Sequence, residues 1–234
     1  MSAATKTDIT LNAADGTEIS AYLSEPETAA KGVVIVIQEI FGVNEHIRDV
    51  ADGFAAEGFA AIAPRFFNRL GRDDTLGYAG DDIALGKELA YSIDWQDAVK
   101  DVAAAIGEAR RRGLKAGVVG YCWGGSLAWL AATRLEGVDA PDAVASYYGS
   151  KVPDFVHEKP HAPVIMHLGA EDPTIPPEAI KKIQDAQPDM SVFVYDGADH
   201  GFNCDRRGSY HAEAARLARQ RTLLFFEQQL AAGA

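Results

Sequence analysis

Two hydrophobic rhythms alternate along the chain: short continuous apolar runs, and stretches in which apolar side chains recur every three or four positions. Val33-Val34-Ile35-Val36-Ile37 is the clearest run; every residue is β-branched, which suits a strand covered on both faces. Comparable runs at Phe59–Pro64, Ala116–Tyr121, Ala143–Tyr148, Pro163–Leu168 and Ser191–Tyr195 predict further strands. Between the runs the period changes. Asn44 is placed to cap a helix reaching about Glu57, with Val50, Phe54 and Ala55 at helical spacing. Ser92-Ile93-Asp94 starts another, with Trp95, Val99, Val102 and Ile106 on one stripe, and helices are also expected over Gly125–Leu135 and Ser209–Leu230. Ahead of these, Thr7–Leu11 and Glu18–Leu23 flank Asp15-Gly16 and read as a hairpin. Strands alternating with helices imply βαβ units. The expected fold class is therefore α/β, a doubly wound, mostly parallel sheet with helices on both faces, formed as one domain over residues 1–234. Phe66 to Glu88 fits this rhythm least: rich in Gly, Asp and Arg, it reads as a long polar excursion or as a lid.

Composition narrows the class without choosing a reaction. The chain has 234 residues, 47% of them hydrophobic and 24% charged, an ordinary balance for one globular core. No stretch approaches the roughly 18 consecutive apolar residues of a membrane span. Met1 to Thr10 lacks the apolar centre of a secretory signal, so a cytoplasmic location is expected. The net charge of −12 argues against nucleic acid or an anionic membrane as partner, although local arginines can still receive a small anion. The two cysteines, Cys122 and Cys204, are expected to be free thiols in a reducing compartment. Oligomeric state is left open between a monomer and a small homo-oligomer.

Candidate chemistry begins at Gly120-Tyr121-Cys122-Trp123-Gly124-Gly125, directly behind the Ala116–Tyr121 run. The segment has the form of a nucleophile elbow with cysteine as nucleophile; its glycines permit a sharp turn from strand into helix. The following helix would direct its N-terminal amides at the sulfur and favour its anionic form. Asp172 follows the Pro163–Leu168 strand and His200 follows Ser191–Tyr195, so the chain order is nucleophile, acid, histidine. Reacting groups collect beyond the carboxyl ends of strands in open α/β sheets. In these places Cys122 can attack a carbonyl carbon, His200 can exchange its proton and Asp172 can orient the imidazole. The amides of Trp123 and Ile40 are the expected oxyanion donors. Glu39 either points away to a cation or serves as a second proton acceptor. Arg206 and Arg207 are either solvated or reach back to an anionic group. His46, His157, His161, His167 and His211 read as surface or packing residues. His200 with Cys204 and Asp205 makes a poor zinc signature, and no metal is expected.

These segments resemble the dienelactone hydrolase, or carboxymethylenebutenolidase, family of the α/β-hydrolase superfamily. The resemblance rests on Val36-Ile37-Gln38-Glu39-Ile40-Phe41-Gly42-Val43-Asn44, the cysteine elbow, Tyr147-Tyr148-Gly149, Gly169-Ala170-Glu171-Asp172 with Ile175-Pro176, and His200-Gly201-Phe202. It implies an α/β-hydrolase fold and a cofactor-free hydrolase that opens an unsaturated lactone carrying a carboxylate, in the breakdown of aromatic compounds. It further implies a triad of Cys122, Asp172 and His200, with Glu39 coupling cysteine activation to substrate arrival. Arg206, Tyr147 and Tyr148 are the expected substrate contacts. In the family an arginine shortly follows the catalytic histidine, whereas here Asn203-Cys204-Asp205 intervene before Arg206. Two alternatives accompany this expectation: an esterase or thioesterase of other specificity, and a redox or binding protein on a hydrolase scaffold.

Overall fold

The structure, a computed structural model, describes residues 5–230; the first four residues of the N-terminal segment lie outside it. Eight strands form one sheet in the order β1-β2-β4-β3-β5-β6-β7-β8. The hairpin of β1 (Thr5–Asn12) and β2 (Glu18–Glu25) is antiparallel and turns through Gly16, whose φ of 84° suits glycine. β2 joins β4 (Ala60–Pro64) antiparallel, and from β4 onward every pairing is parallel. β3 (Val33–Ile37) and β5 (Ala116–Tyr121) are buried at every position, as expected for strands covered on both faces. β6 (Ala143–Tyr147) and β7 (Val164–Gly169) are equally buried, while the edge strand β8 (Ser191–Tyr195) is partly exposed.

Helices cover both faces. α1 (Glu45–Ala56) begins where Asn44 accepts a hydrogen bond from the Ile47 amide at 3.2 Å, and its Phe54 meets Phe226 of the C-terminal helix α7 (Ala212–Leu230). The stretch Phe66 to Glu88, read as a polar excursion or as a lid, contains regular structure. It contains a 3-10 turn at Phe66–Leu70, which buries Phe66 and Phe67, and the helix α2 (Gly80–Ser92). α2 buries only Gly86, Leu89 and Ala90, too narrow a stripe to stand out as a helical period. Ser92 ends α2 rather than starting the next helix. α3 (Trp95–Arg111) is capped by Asp94 and packs with α4 (Trp123–Arg134). The remaining helices are α5 (Val152–Phe155) and α6 (Pro177–Ala186). One cluster of buried apolar side chains runs from Leu11 to Leu230.

The strand order reverses at β3, which has β4 on one side and β5 on the other. The loops leaving β3 and β5 therefore open side by side at the switch point, where open α/β sheets place their ligands.

Candidate active site

Cys122 lies between the end of β5 and the start of α4, with φ 56° and ψ −114°, a conformation that costs a non-glycine residue about 1–3 kcal/mol. Close packing on each side holds it there. A methyl group on Gly120 would strike the Gly124 carbonyl, and one on Gly125 would strike the Tyr147 carbonyl. One on Gly124 would lie 2.6 Å from the Ile37 carbonyl oxygen at the end of β3. The Cys122 amide donates to the Tyr147 carbonyl at 3.0 Å, tying the turn to β6.

Cys122, Asp172 and His200 meet despite their separation in sequence. His200 Nε2 is 3.0 Å from Cys122 Sγ, and His200 Nδ1 is 2.7 Å from Asp172 Oδ2. The other Asp172 oxygen accepts from the Thr174 amide at 2.8 Å and the Thr174 hydroxyl at 2.6 Å. Thr174 was not anticipated, although Asp-Pro-Thr has the form of an Asx turn that fixes a carboxylate. Burial disfavours a charged imidazole, but the adjacent Cys122 sulfur and Asp172 carboxylate outweigh it and raise His200 to about 10. Burial would likewise push Asp172 up; its hydrogen bonds to His200 and Thr174 hold it below the usual carboxylate range instead.

A cavity of about 340 Å³ opens above the sulfur. Ile40, Phe41, Ile83 and Tyr91 supply apolar and aromatic walls; Lys87 and Arg207 supply positive charge. Ile83, Lys87 and Tyr91 belong to α2, so the segment left open as excursion or lid forms one wall of the cleft. Gly86 permits this approach, because a methyl group there would collide with the Ile40 carbonyl. The Trp123 amide begins α4 and so is one of its N–H groups without an intrahelical partner.

The expected substrate contacts are corrected by the geometry. Arg206 turns away, its guanidinium held by Glu45 at 2.7 Å and Asp49 at 2.6 Å on α1. Its neighbour Arg207 lines the cleft, and a side chain on Gly201 would occupy the space its guanidinium uses. Tyr147 is buried and hydrogen-bonded to Thr222, and Tyr148 is fully buried with its ring edge-on to His200 at 5.2 Å. Neither ring lines the cavity; Tyr148 instead backs the imidazole. Glu39 is buried and faces Arg207, with Oε1 accepting from Nη1 at 3.1 Å. Of the histidines read as surface or packing residues, His167 is a packing residue. His167 lies within the core between Tyr195 and Thr222, and burial lowers it to about 3.

The sheet order, the sharp turn after β5 and the convergence of groups beyond the strand ends define an α/β-hydrolase. Residues 19–230 match the dienelactone hydrolase family, and the chain belongs to it. Carboxymethylenebutenolidase of Pseudomonas putida is 32% identical over 234 residues, covering 93% of this chain and 94% of that protein. A Synechocystis relative is 35% identical over 232 residues, covering 91% of this chain and 93% of its own. A crystal structure from Klebsiella pneumoniae superposes with a TM-score of 0.83 at 31% identity, covering 96% of this chain and 99% of that one. The protein is accordingly a carboxylic ester hydrolase acting on a small ester or lactone. No helix among the described residues is long and apolar enough to cross a membrane.

Proposed function

We propose that the protein opens an unsaturated lactone carrying a carboxylate, with Cys122 as nucleophile, His200 as proton carrier and Asp172 as the group that orients it. The observation supporting this most directly is the unbroken contact chain from Sγ through the imidazole to a buried carboxylate, beside a cleft with two cations. Cys122 Sγ attacks the lactone carbonyl carbon, and the resulting oxyanion is received by the Trp123 and Ile40 amides. Collapse of this intermediate breaks the ring C–O bond. His200 delivers a proton to the departing enol oxygen and leaves a thioester on Cys122. Water, deprotonated by His200, then hydrolyses the thioester and regenerates the resting Cys122–His200 pair.

Arg207 is the carboxylate receptor in this reading, assisted by Lys87 at the cleft wall. A substrate carboxylate arriving at Arg207 competes with Glu39 for the guanidinium, which gives Glu39 the coupling role that family resemblance implies. Because His200 already touches the sulfur, a proton can leave Cys122 without Glu39. The test is turnover of a dienelactone and of a neutral aryl ester by wild type, Cys122→Ala and Arg207→Ala. Cys122→Ala is expected to lose both activities while unfolding at an unchanged temperature. Arg207→Ala is expected to lose at least tenfold in kcat/KM for the lactone and little for the neutral ester. Full activity in Cys122→Ala refutes the nucleophile; equal losses on both substrates refute carboxylate recognition by Arg207.

A further inference from the structure

The proposed reaction assigns no role to His46 or Cys204, yet both converge on Glu39. The three side chains come from separate elements: the loop after β3, the first turn of α1 and the loop after β8. Their exposures are 1% for Glu39, 4% for His46 and 0% for Cys204. One donor atom from each lies within 4.8 Å of the other two. Glu39 Oε2 and His46 Nε2 are buried and have no hydrogen-bond partner among the described residues. Leaving such atoms unsatisfied costs about 1–3 kcal/mol apiece, so two of them in one buried cluster are unusual in a packed interior.

We propose that Glu39, His46 and Cys204 form a site for a single divalent transition-metal ion of the zinc class. The donors are a carboxylate oxygen, an imidazole nitrogen and a sulfur, a mixed set that suits zinc or cobalt and is too soft for magnesium or calcium. Three atoms no more than 4.8 Å apart all fall within about 2.8 Å of a common centre, against zinc bonds of about 2.0–2.3 Å, so donor shifts under about 1 Å complete the coordination. The surroundings fit as well. His46 Nδ1 faces the Asp205 carboxylate at 3.6 Å, the outer partner that commonly orients a ligating imidazole, and this leaves Nε2 for the ion. Tyr78 Oη lies 3.3 Å from Cys204 Sγ and can turn to donate to a thiolate. A second cavity of about 340 Å³, lined by His46 with Asp49, Asn203 and Asp205, reaches one edge of the group.

Binding replaces the Cys204 S–H bond with a sulfur–metal bond and releases the thiol proton to solvent. Because the thiol must lose this proton to bind, metal affinity rises with pH. The site is distinct from the Cys122–His200–Asp172 group and does not depend on how that group reacts.

Cobalt titration of the full-length protein tests the proposal, with thiolate-to-cobalt absorption in the near ultraviolet as the readout. In Cys122→Ser the absorption is expected to saturate at one ion per chain; in Cys204→Ser it is expected to vanish. Asp205 is exposed, and Asp205→Asn is expected to keep the fold while binding about tenfold more weakly. Zinc is also expected to raise the unfolding temperature of Cys122→Ser, a gain lost in His46→Gln, which keeps the test available if Cys204→Ser does not fold. Absorption that disappears in Cys122→Ser and survives in Cys204→Ser assigns the ion to the other thiol and overturns the proposal. So does the absence of any thiolate absorption in wild type.

Discussion

Gly124 sets how closely α4 can approach the end of β3, and Gly124→Ala is the substitution that tests it. The added methyl group would lie 2.6 Å from the Ile37 carbonyl oxygen and 2.8 Å from Ile37 Cγ2, and closer still to the Gln38 carbonyl. Ordinary contact begins near 3.4 Å. The first of these contacts alone therefore requires β3 and α4 to separate by about 0.8 Å, the difference 3.4 − 2.6, a degree of overpacking that typically costs 1–3 kcal/mol. The direction of this shift matters more than its energy. In the proposed mechanism Ile40 and Trp123 hold the oxyanion from opposite sides of this contact, so the gap opens between the two donors. A misplacement of about 1 Å in a reacting constellation lowers the rate on the order of a hundredfold. Gly124→Ala is expected to lose about that factor in kcat/KM for a neutral aryl ester and to unfold about 4–8 °C lower, if destabilised by about 2 kcal/mol. Gly80→Ala is the control: its added methyl group meets no atom within 4 Å. Gly124→Ala protein with activity within twofold of wild type and an unchanged unfolding temperature would refute the reasoning.

Two further outcomes concern protons. His200 is raised to about 10, so the imidazole keeps the proton needed by the leaving oxygen through neutral pH. The kcat/KM for a neutral ester should hold to about pH 10 and fall above it; a basic limb near 6.5 would contradict the tight His200 contacts. His167 is lowered from 6.5 to about 3 by burial, a shift of about 3.5 pH units, or on the order of 5 kcal/mol. Its folded-state value lies below its unfolded value, so this stabilisation is complete above about pH 6.5 and is lost as pH falls toward 3. Denaturant titrations should show that loss in wild type and a flatter profile across the same window in His167→Gln.

The fold was legible because its central strands are short and mostly apolar, β3 wholly β-branched, and because Asn44 and Asp94 mark helix starts with side chains that make the expected caps. Cys122, Asp172 and His200 were legible for a related reason: each lies in the segment that leaves the carboxyl end of a strand, where such a sheet gathers its chemistry. Contacts made across long sequence separations left no local mark. Arg206 and Arg207 are adjacent and chemically identical, and only their partners separate them: Glu45 and Asp49 draw one outward, while Glu39 holds the other at the cleft. Tyr147 and Tyr148 adjoin the elbow in space, but their rings pack into the interior. α2 was obscured by the feature that makes it useful, since Gly86 weakens the helical pattern where it lets the helix reach Ile40.

Glu39 stands at the junction of both proposals, and this yields an expectation that neither gives alone. One carboxylate oxygen faces Arg207 at the cleft, and the other is buried without a hydrogen-bond partner in the group it forms with His46 and Cys204. Anything that neutralises Glu39 leaves Arg207 less engaged and more available to an anionic substrate. Glu39→Gln does this covalently, and a bound zinc ion does it by drawing off the carboxylate charge. Both are expected to lower KM for a carboxylate-bearing lactone. Neither should lower kcat much, because His200 already touches Cys122 Sγ and can take its proton without Glu39. A neutral ester makes no demand on Arg207, so its KM should stay constant in each case. By linkage, an anionic substrate analogue should tighten zinc binding by the factor that zinc tightens the analogue. Steady-state kinetics on the two substrates, with and without zinc, in wild type and Asp205→Asn, measure each term. If zinc raises KM for the lactone and the neutral ester alike, it is acting at the cleft and Glu39 does not couple the two sites.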